Sequence, residues 1–404
     1  MTTTLTTAKV CPTSSLDPYS LEVLQDPYPF HEEIRNAGAV VWLERYGIWA
    51  MARHKEVHAA LNDWQTFSSS AGVGISDYRK EKPWRKPSII LEVDPPVHTR
   101  SRAVLSRVLS RRALGALRDM FEREAELLVQ RLLAKGSFDG MKDLAEVYPL
   151  KVFGDAIGLP SEGRENLMLY GRLQLNAFGP RNQLFEEAMA HSGPILEWVT
   201  SICSREALTP TGLGAQIFAA ADAGEITEEE AKLLFRAFLS AGGDTTVNGI
   251  GNALYHFARN PDQWDALTQD LTLARSAFDE VIRIDPPIQT FFRTTTRTNQ
   301  VAEVQIADGD KVMLLLAAAN RDPRRWEHPD RFDIRRNVTG HVGFGAGIHG
   351  CIGQTIARME GESILAALAR NARTIELRGE PTRRLNNTVR GWSSLPLTVQ
   401  PIRD

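Results

Sequence analysis

The chain has 404 residues, of which 43% are hydrophobic and 24% charged, a balance typical of soluble globular proteins. Lys plus Arg number 47 against 50 Asp plus Glu, a formal net charge of −3, which argues against a nucleic-acid partner and a polybasic membrane anchor. The three cysteines, Cys11, Cys203 and Cys351, are widely and irregularly spaced, which excludes a disulfide framework and points to a reducing compartment.

The first residues lack a charged start followed by an apolar run, so no signal peptide is expected. No apolar run reaches the ~18 residues of a membrane span. A soluble cytoplasmic monomer is expected, with a Thr- and Ser-rich tail over 1–17 and a single domain over 18–404. Residues 39–51 predict a hairpin, two apolar runs around Arg45-Tyr46-Gly47. Leu117, Met120, Phe121, Ala125, Leu128 and Leu132 share a helical face, with Gly136 as a stop. Thr227 and Glu230 form a capping box. An apolar-periodic run then continues to Asn260-Pro261, which predicts one helix of about 30 residues, ~45 Å long, able to cross the molecule. Gly242-Gly243 is its weak point, at about 1 kcal/mol per glycine relative to alanine. Short strand-like segments follow at 301–306, 311–316 and 395–399. The fold class is mainly α with a minor β region.

Residues 344–353 read Phe-Gly-Ala-Gly-Ile-His-Gly-Cys-Ile-Gly. The glycines open backbone conformations closed to other residues and let a flat ligand approach. An apolar-periodic helix follows, so Cys351 sits where a loop enters a helix, and helix N-terminal amides stabilise a thiolate. A thiolate there can ligate a metal.

This segment resembles the haem-binding loop of the cytochromes P450, the haem-thiolate monooxygenases. The resemblance implies a long central helix over a buried haem b, with Cys351 as axial iron ligand; a thiolate pushes electron density onto the iron. Other stretches agree with it. Ala241-Gly242-Gly243-Asp244-Thr245-Thr246 matches the family's helix segment beside the haem, with Asp244 and Thr245 as the acid–alcohol pair that delivers protons to bound dioxygen. Glu280 and Arg283 match its structural Glu-x-x-Arg, with Arg331 as the expected third partner. His98, Arg102, Arg293 and His349 match its propionate ligands, and a guanidinium suits a carboxylate through its planar fork. Phe344 opens the haem loop.

Between Pro95 and Arg118 there are six Arg and no acid. In the family this stretch borders the face where the electron donor docks, and an acidic iron–sulfur ferredoxin would be drawn to it. The segment after Cys351 is short, so electrons are expected from NAD(P)H through a separate ferredoxin reductase and ferredoxin.

Long stretches are similar to bacterial members that oxidise para-substituted benzoic acids, such as 4-methoxybenzoate by O-demethylation. A buried benzoate needs donors for its carboxylate. Arg85, Ser88, Arg236 and Ser240 are the matching positions, with Leu91, Leu175, Phe178, Ala241 and Phe291 around the small aromatic substrate. Ala237 stands where the subgroup has Ser, removing one hydrogen bond worth ~1.5–3 kcal/mol. Leu175 and Gly243 replace bulkier residues, so a roomier pocket is expected. Two other readings stay open: the same chemistry on an uncharged phenolic or terpenoid substrate, and a haem-binding sensor or carrier without turnover.

Overall fold

The computed structural model describes residues 11–402. Helices dominate, and the main hydrophobic core is built by helices Arg118–Lys135, Asp244–Arg259, Ala274–Ile284 and Gln354–Asn371. Helix Arg118–Lys135 buries Phe121, Ala125, Leu128, Val129 and Leu132, the expected stripe. Gly136 ends it at φ 71°.

The largest sheet has six strands, in the order Thr13–Ser14, Val41–Leu43, Ile48–Met51, Lys311–Leu315, Thr290–Thr295, Phe67–Ser68. The hairpin expected over 39–51 is present, with Trp42 opposite Trp49. The tail expected to end at residue 17 is ordered sooner: Thr13 and Ser14 pair in parallel with Trp42 and Leu43. Residues 1–10 of that expected tail lie outside the described residues. In strand Thr290–Thr295 side chains alternate, so Phe291 and Arg293 share one face while Phe292 is buried in a separate core. The sheet thereby holds an apolar ring and a buried guanidinium side by side.

The single long helix expected from Thr227 to Asn260 is two helices, Glu228–Ala241 and Asp244–Arg259. Its start is as read: Thr227 N donates to Glu230 Oε2 at 2.8 Å, and Glu230 N to Thr227 Oγ1 at 3.2 Å. The interruption has two local causes. Thr245 Oγ1 donates to Ala241 O at 2.7 Å, taking the carbonyl that a continuous helix would give to a backbone amide. Gly242 packs against Phe153 so closely that a Cβ would lie 2.0 Å from its ring.

The two glycines are therefore not equivalent. A Cβ on Gly243 would meet Leu167 Cβ at 3.3 Å, a contact that small shifts relieve. The space left by Gly243 faces Leu167, on helix Asn166–Asn176, so it gives no support for a roomier pocket. Gly242→Ala is expected to lower stability by about 1–3 kcal/mol through overpacking. Gly243→Ala is expected to change it by about 1 kcal/mol or less, because the propensity gain offsets the tight contact. Urea unfolding of both variants checks this, and equal shifts would contradict it.

Candidate active site

Cys351 N donates to Phe344 O at 2.7 Å and closes the loop that the sequence singled out. Gly347, at φ +65°, lets the loop seat on helix His54–Asn62, where a Cβ would lie 2.3 Å from Leu61 O. Cys351 stands three residues before helix Gln354–Asn371. Burial pushes its thiol up, whereas the amides of Gly353 and Gln354 and the guanidiniums of Arg102 and Arg358 pull it down. These donors favour a thiolate once a cation faces the sulfur. Arg358 also covers the Phe344 ring at 4.6 Å.

The loop is held from behind by a buried ion network. Glu280 and Arg283 are fully buried and paired at 2.6 Å. Arg283 donates to Asn320 O and Pro329 O, and Asn320 Oδ1 accepts from Val342 N at the start of the loop. The third side chain is not the expected Arg331, which is exposed and contributes its carbonyl oxygen. Arg336 fills that role, 3.3 Å from Glu280 Oε1. Both arginines lie on one irregular stretch, and the chain turns the later one inward.

His98, Arg102, Arg293 and His349 are brought together around Cys351. The His98 and His349 rings meet edge-on at 4.5 Å. Arg102 Nη1 donates to Gly350 O at 2.6 Å. Arg293 is 3% exposed and donates to Phe292 O. Burial lowers its guanidinium to about 10, opposed by Asp94. His349 Nε2 lies 3.6 Å from Asp94 Oδ1, beyond hydrogen-bond length. Nε2 of both histidines is buried without a hydrogen-bond partner. Burial and the neighbouring charges push His98 down to about 4.

At the helix break, Asp244 is 1% exposed and pairs with Arg172 Nε at 3.1 Å. Burial pushes its carboxyl up, and Arg172 and Arg384 oppose this. Glu146 accepts from both guanidiniums, at 2.8 Å and 3.1 Å. Asp244 is thus linked outward to a partly exposed acid, and Thr245 stands beside it.

The expected apolar wall is also assembled. Leu175 and Phe178 are buried together with Val73 and Val389, and Leu91, Ile288 and Phe291 pack against them. The Phe178 and Phe291 rings lie 6.0 Å apart. Next to this chamber, Arg85 donates to Gln174 Oε1 at 2.7 Å and to Glu92 Oε2 at 2.8 Å. Arg236 Nη2 donates to Lys86 O at 2.6 Å and has no ion pair among the described residues. Ser88 is buried, and its Oγ accepts long bonds from Ile90 N and Leu91 N. Ser240 Oγ donates to Ala237 O at 3.0 Å, a local bond it can exchange. Ala241 is exposed at the end of its helix.

Residues 209–398 match the family model described as cytochrome P450. The chain is 54% identical over 391 residues to cytochrome p450 CYP199A2 of Rhodopseudomonas palustris, covering 96% of this chain and 95% of the relative. The chain belongs to the cytochrome P450 family. It is 31% identical to the beta-dihydromenaquinone-9 omega-hydroxylase of Mycobacterium tuberculosis, covering 96% of this chain and 79% of that one. Among solved structures, cytochrome P450 CREJ in complex with (4-ethylphenyl) dihydrogen phosphate matches with a TM-score of 0.84 at 27% identity, over 95% of this chain and 99% of that one. Cytochrome P450 CYP109Q5 from Chondromyces apiculatus matches with a TM-score of 0.80 at 28% identity, over 96% and 99%.

This P450 is a monooxygenase that binds haem b. Its residues fit that group: two buried imidazole nitrogens without partners and a buried guanidinium suit carboxylate groups, and Cys351 is backed by amides and arginines. Sequence reading missed Arg336, Arg172, Glu146, Arg384, Glu92 and Asp94. Arg172 carried a signal, as the one charged residue of helix Asn166–Asn176. Arg293→Leu is expected to weaken haem binding by about 2–3 kcal/mol, the worth of one charge-assisted contact. It should leave apo-protein stability unchanged or raised. Haem titration of apo-protein measures the first, and denaturant unfolding the second.

Proposed function

We propose that this P450 oxidises a small para-substituted aromatic acid such as 4-methoxybenzoate, at the substituent opposite the carboxylate. The observation that carries this reading is Arg236, a half-buried cation without an ion pair among the described residues, hydrogen-bonded to the loop whose Leu91 packs against the apolar cluster of Leu175, Phe178 and Phe291. A half-buried cation of this kind favours an anionic ligand, because a ligand that covers it without pairing it leaves a charge out of water, which is costly. The likeness to CREJ supports it, since that P450 was solved with a para-substituted ring bearing an anionic group. An uncharged phenol or terpenoid would leave Arg236 unpaired.

When bound, the haem supplies dioxygen activation at its iron. Cys351 is the residue that would ligate it, and His98, Arg102, Arg293 and His349 would hold its propionates. Asp244 and Thr245 hold and pass protons at the helix break, with Glu146 as their outer contact. Arg236, Ser240 and Ser88 orient the acid end, while Leu91, Leu175, Phe178 and Phe291 exclude water around the ring. Hydroxylation of an aryl methyl ether carbon yields a hemiacetal that collapses to a phenol and formaldehyde.

Electrons come from NAD(P)H through a ferredoxin reductase and a ferredoxin. Three arginines of the basic stretch already carry ion pairs, Arg100 with Glu230, Arg107 with Glu225 and Arg118 with Glu362. Arg111 and Arg112 are exposed and carry none among the described residues, so they are the charges left for an acidic ferredoxin. None of the described helices is long and apolar enough to cross a membrane; the protein is read as a soluble cytoplasmic monomer.

Optical titration of the ferric holoenzyme with 4-methoxybenzoate, beside uncharged 4-methoxyacetophenone, tests the reading. A saturating low-to-high-spin shift with the acid alone is expected. An equal shift with both, or none with the acid, would overturn the aromatic-acid assignment and leave the monooxygenase class intact.

A further inference from the structure

Loop 69–96 carries no regular secondary structure, yet it is tied down throughout. Lys311 Nζ, buried on its strand, donates to Ala71 O and Gly72 O, each at 3.0 Å. Ile75 N donates to Phe178 O at 2.8 Å. The far half of the loop closes on one acid. Glu92 is 2% exposed and accepts three bonds: from Tyr78 Oη at 2.7 Å, Ser88 N at 2.7 Å and Arg85 Nη1 at 2.8 Å. The Arg85 side chain is 10% exposed, so the Arg85–Glu92 pair is almost out of water.

A pair this close presents little net charge to a third group. Arg85 and Arg236 both approach Lys86 O, and both lie near Tyr170. Of the two cations, one is already neutralised within its own loop and the other is not. Leu91, the neighbour of Glu92, packs against the apolar chamber. The Glu92 charge reaches both cations, Arg85 through direct contact and Arg236 at longer range.

We infer that Glu92 is a specificity-determining residue: it neutralises Arg85, competes with an incoming carboxylate, and leaves Arg236 as the cation that selects acids. The inference deepens the aromatic-acid reading and rests on it for the identity of the ligand. It assigns the wild-type pocket one effective positive charge, enough for a monoanion. Removing the Glu92 charge creates a second positive charge, suited to tighter monoanion binding or to a dianion.

The test uses ferric holoenzyme and two iron-ligating probes that do not depend on which substrate is natural. These are 4-(imidazol-1-yl)benzoate and uncharged 1-phenylimidazole, with affinities read from the optical shift. Glu92→Gln removes the charge with little change in shape: its amide oxygen keeps the acceptor for Ser88 N, and its NH2 faces the Tyr78 hydroxyl, which can accept as well as donate. It is expected to tighten the charged probe on the order of tenfold relative to the neutral one. In the double variant R85Q/E92Q, preference for the charged probe is expected to persist, and in Arg236→Gln to fall at least tenfold. An E92Q protein whose charged-to-neutral ratio matches wild type overturns the inference. So does loss of preference in R85Q/E92Q as deep as in R236Q. If the probes behave as expected but 4-methoxybenzoate gives no spin shift, the benzoate reading fails and the role of Glu92 stands.

Discussion

A charge taken out of water needs a partner, and the interior of this P450 is organised by which charges have one. Glu280, Arg283 and Arg336 satisfy one another and fix the stretch that feeds the cysteine loop. Asp244, Arg172, Glu146 and Arg384 form a second set, two acids with two cations, at the helix break. Around Cys351 the pattern changes. Arg293 is buried without a carboxylate within ion-pair distance among the described residues, and two imidazole nitrogens make no hydrogen bond. That deficit of anions is a specification for a cofactor bearing carboxylates.

The second deficit lies at Arg236, which has only the carbonyl of Lys86, on the loop that also carries Leu91 of the apolar cluster. The two deficits are joined by one element. Strand Thr290–Thr295 places Phe291 against the chamber and Arg293 on the same face two residues on. In the function proposed above, a ring against Phe291 would be positioned relative to a cofactor held by Arg293. On that proposal, sheet alternation would set the geometry of oxidation, and charge the choice of substrate.

What was legible in the sequence was local. The capping box at Thr227, the stop at Gly136 and the loop-to-helix entry at Cys351 each rest on residues a few positions apart. Leu91, Leu175, Phe178 and Phe291, named through resemblance, do pack together, whereas Ala241 lies exposed outside that cluster. The failures depended on distant neighbours. Position 242 requires glycine because Phe153 leaves no room for a side chain, and Phe153 lies far away in sequence. Arg336, not Arg331, meets Glu280 because an irregular stretch has no period from which to read direction. Arg85 reads as a free cation until Glu92 folds back onto it. In each case the residue type was visible and its partner was not.

The most direct test of this charge logic is binding of haem b and its propionate dimethyl ester to the apo-protein. The ester keeps the iron and the ring and removes both negative charges. Native haem is expected to bind at least tenfold more tightly, about 1.4 kcal/mol, because only it supplies carboxylates to Arg293, which has no ion pair among the described residues, and to the unbonded Nε2 atoms of His98 and His349. Equal affinities for the two would contradict it and would make the buried cation cluster a purely structural feature.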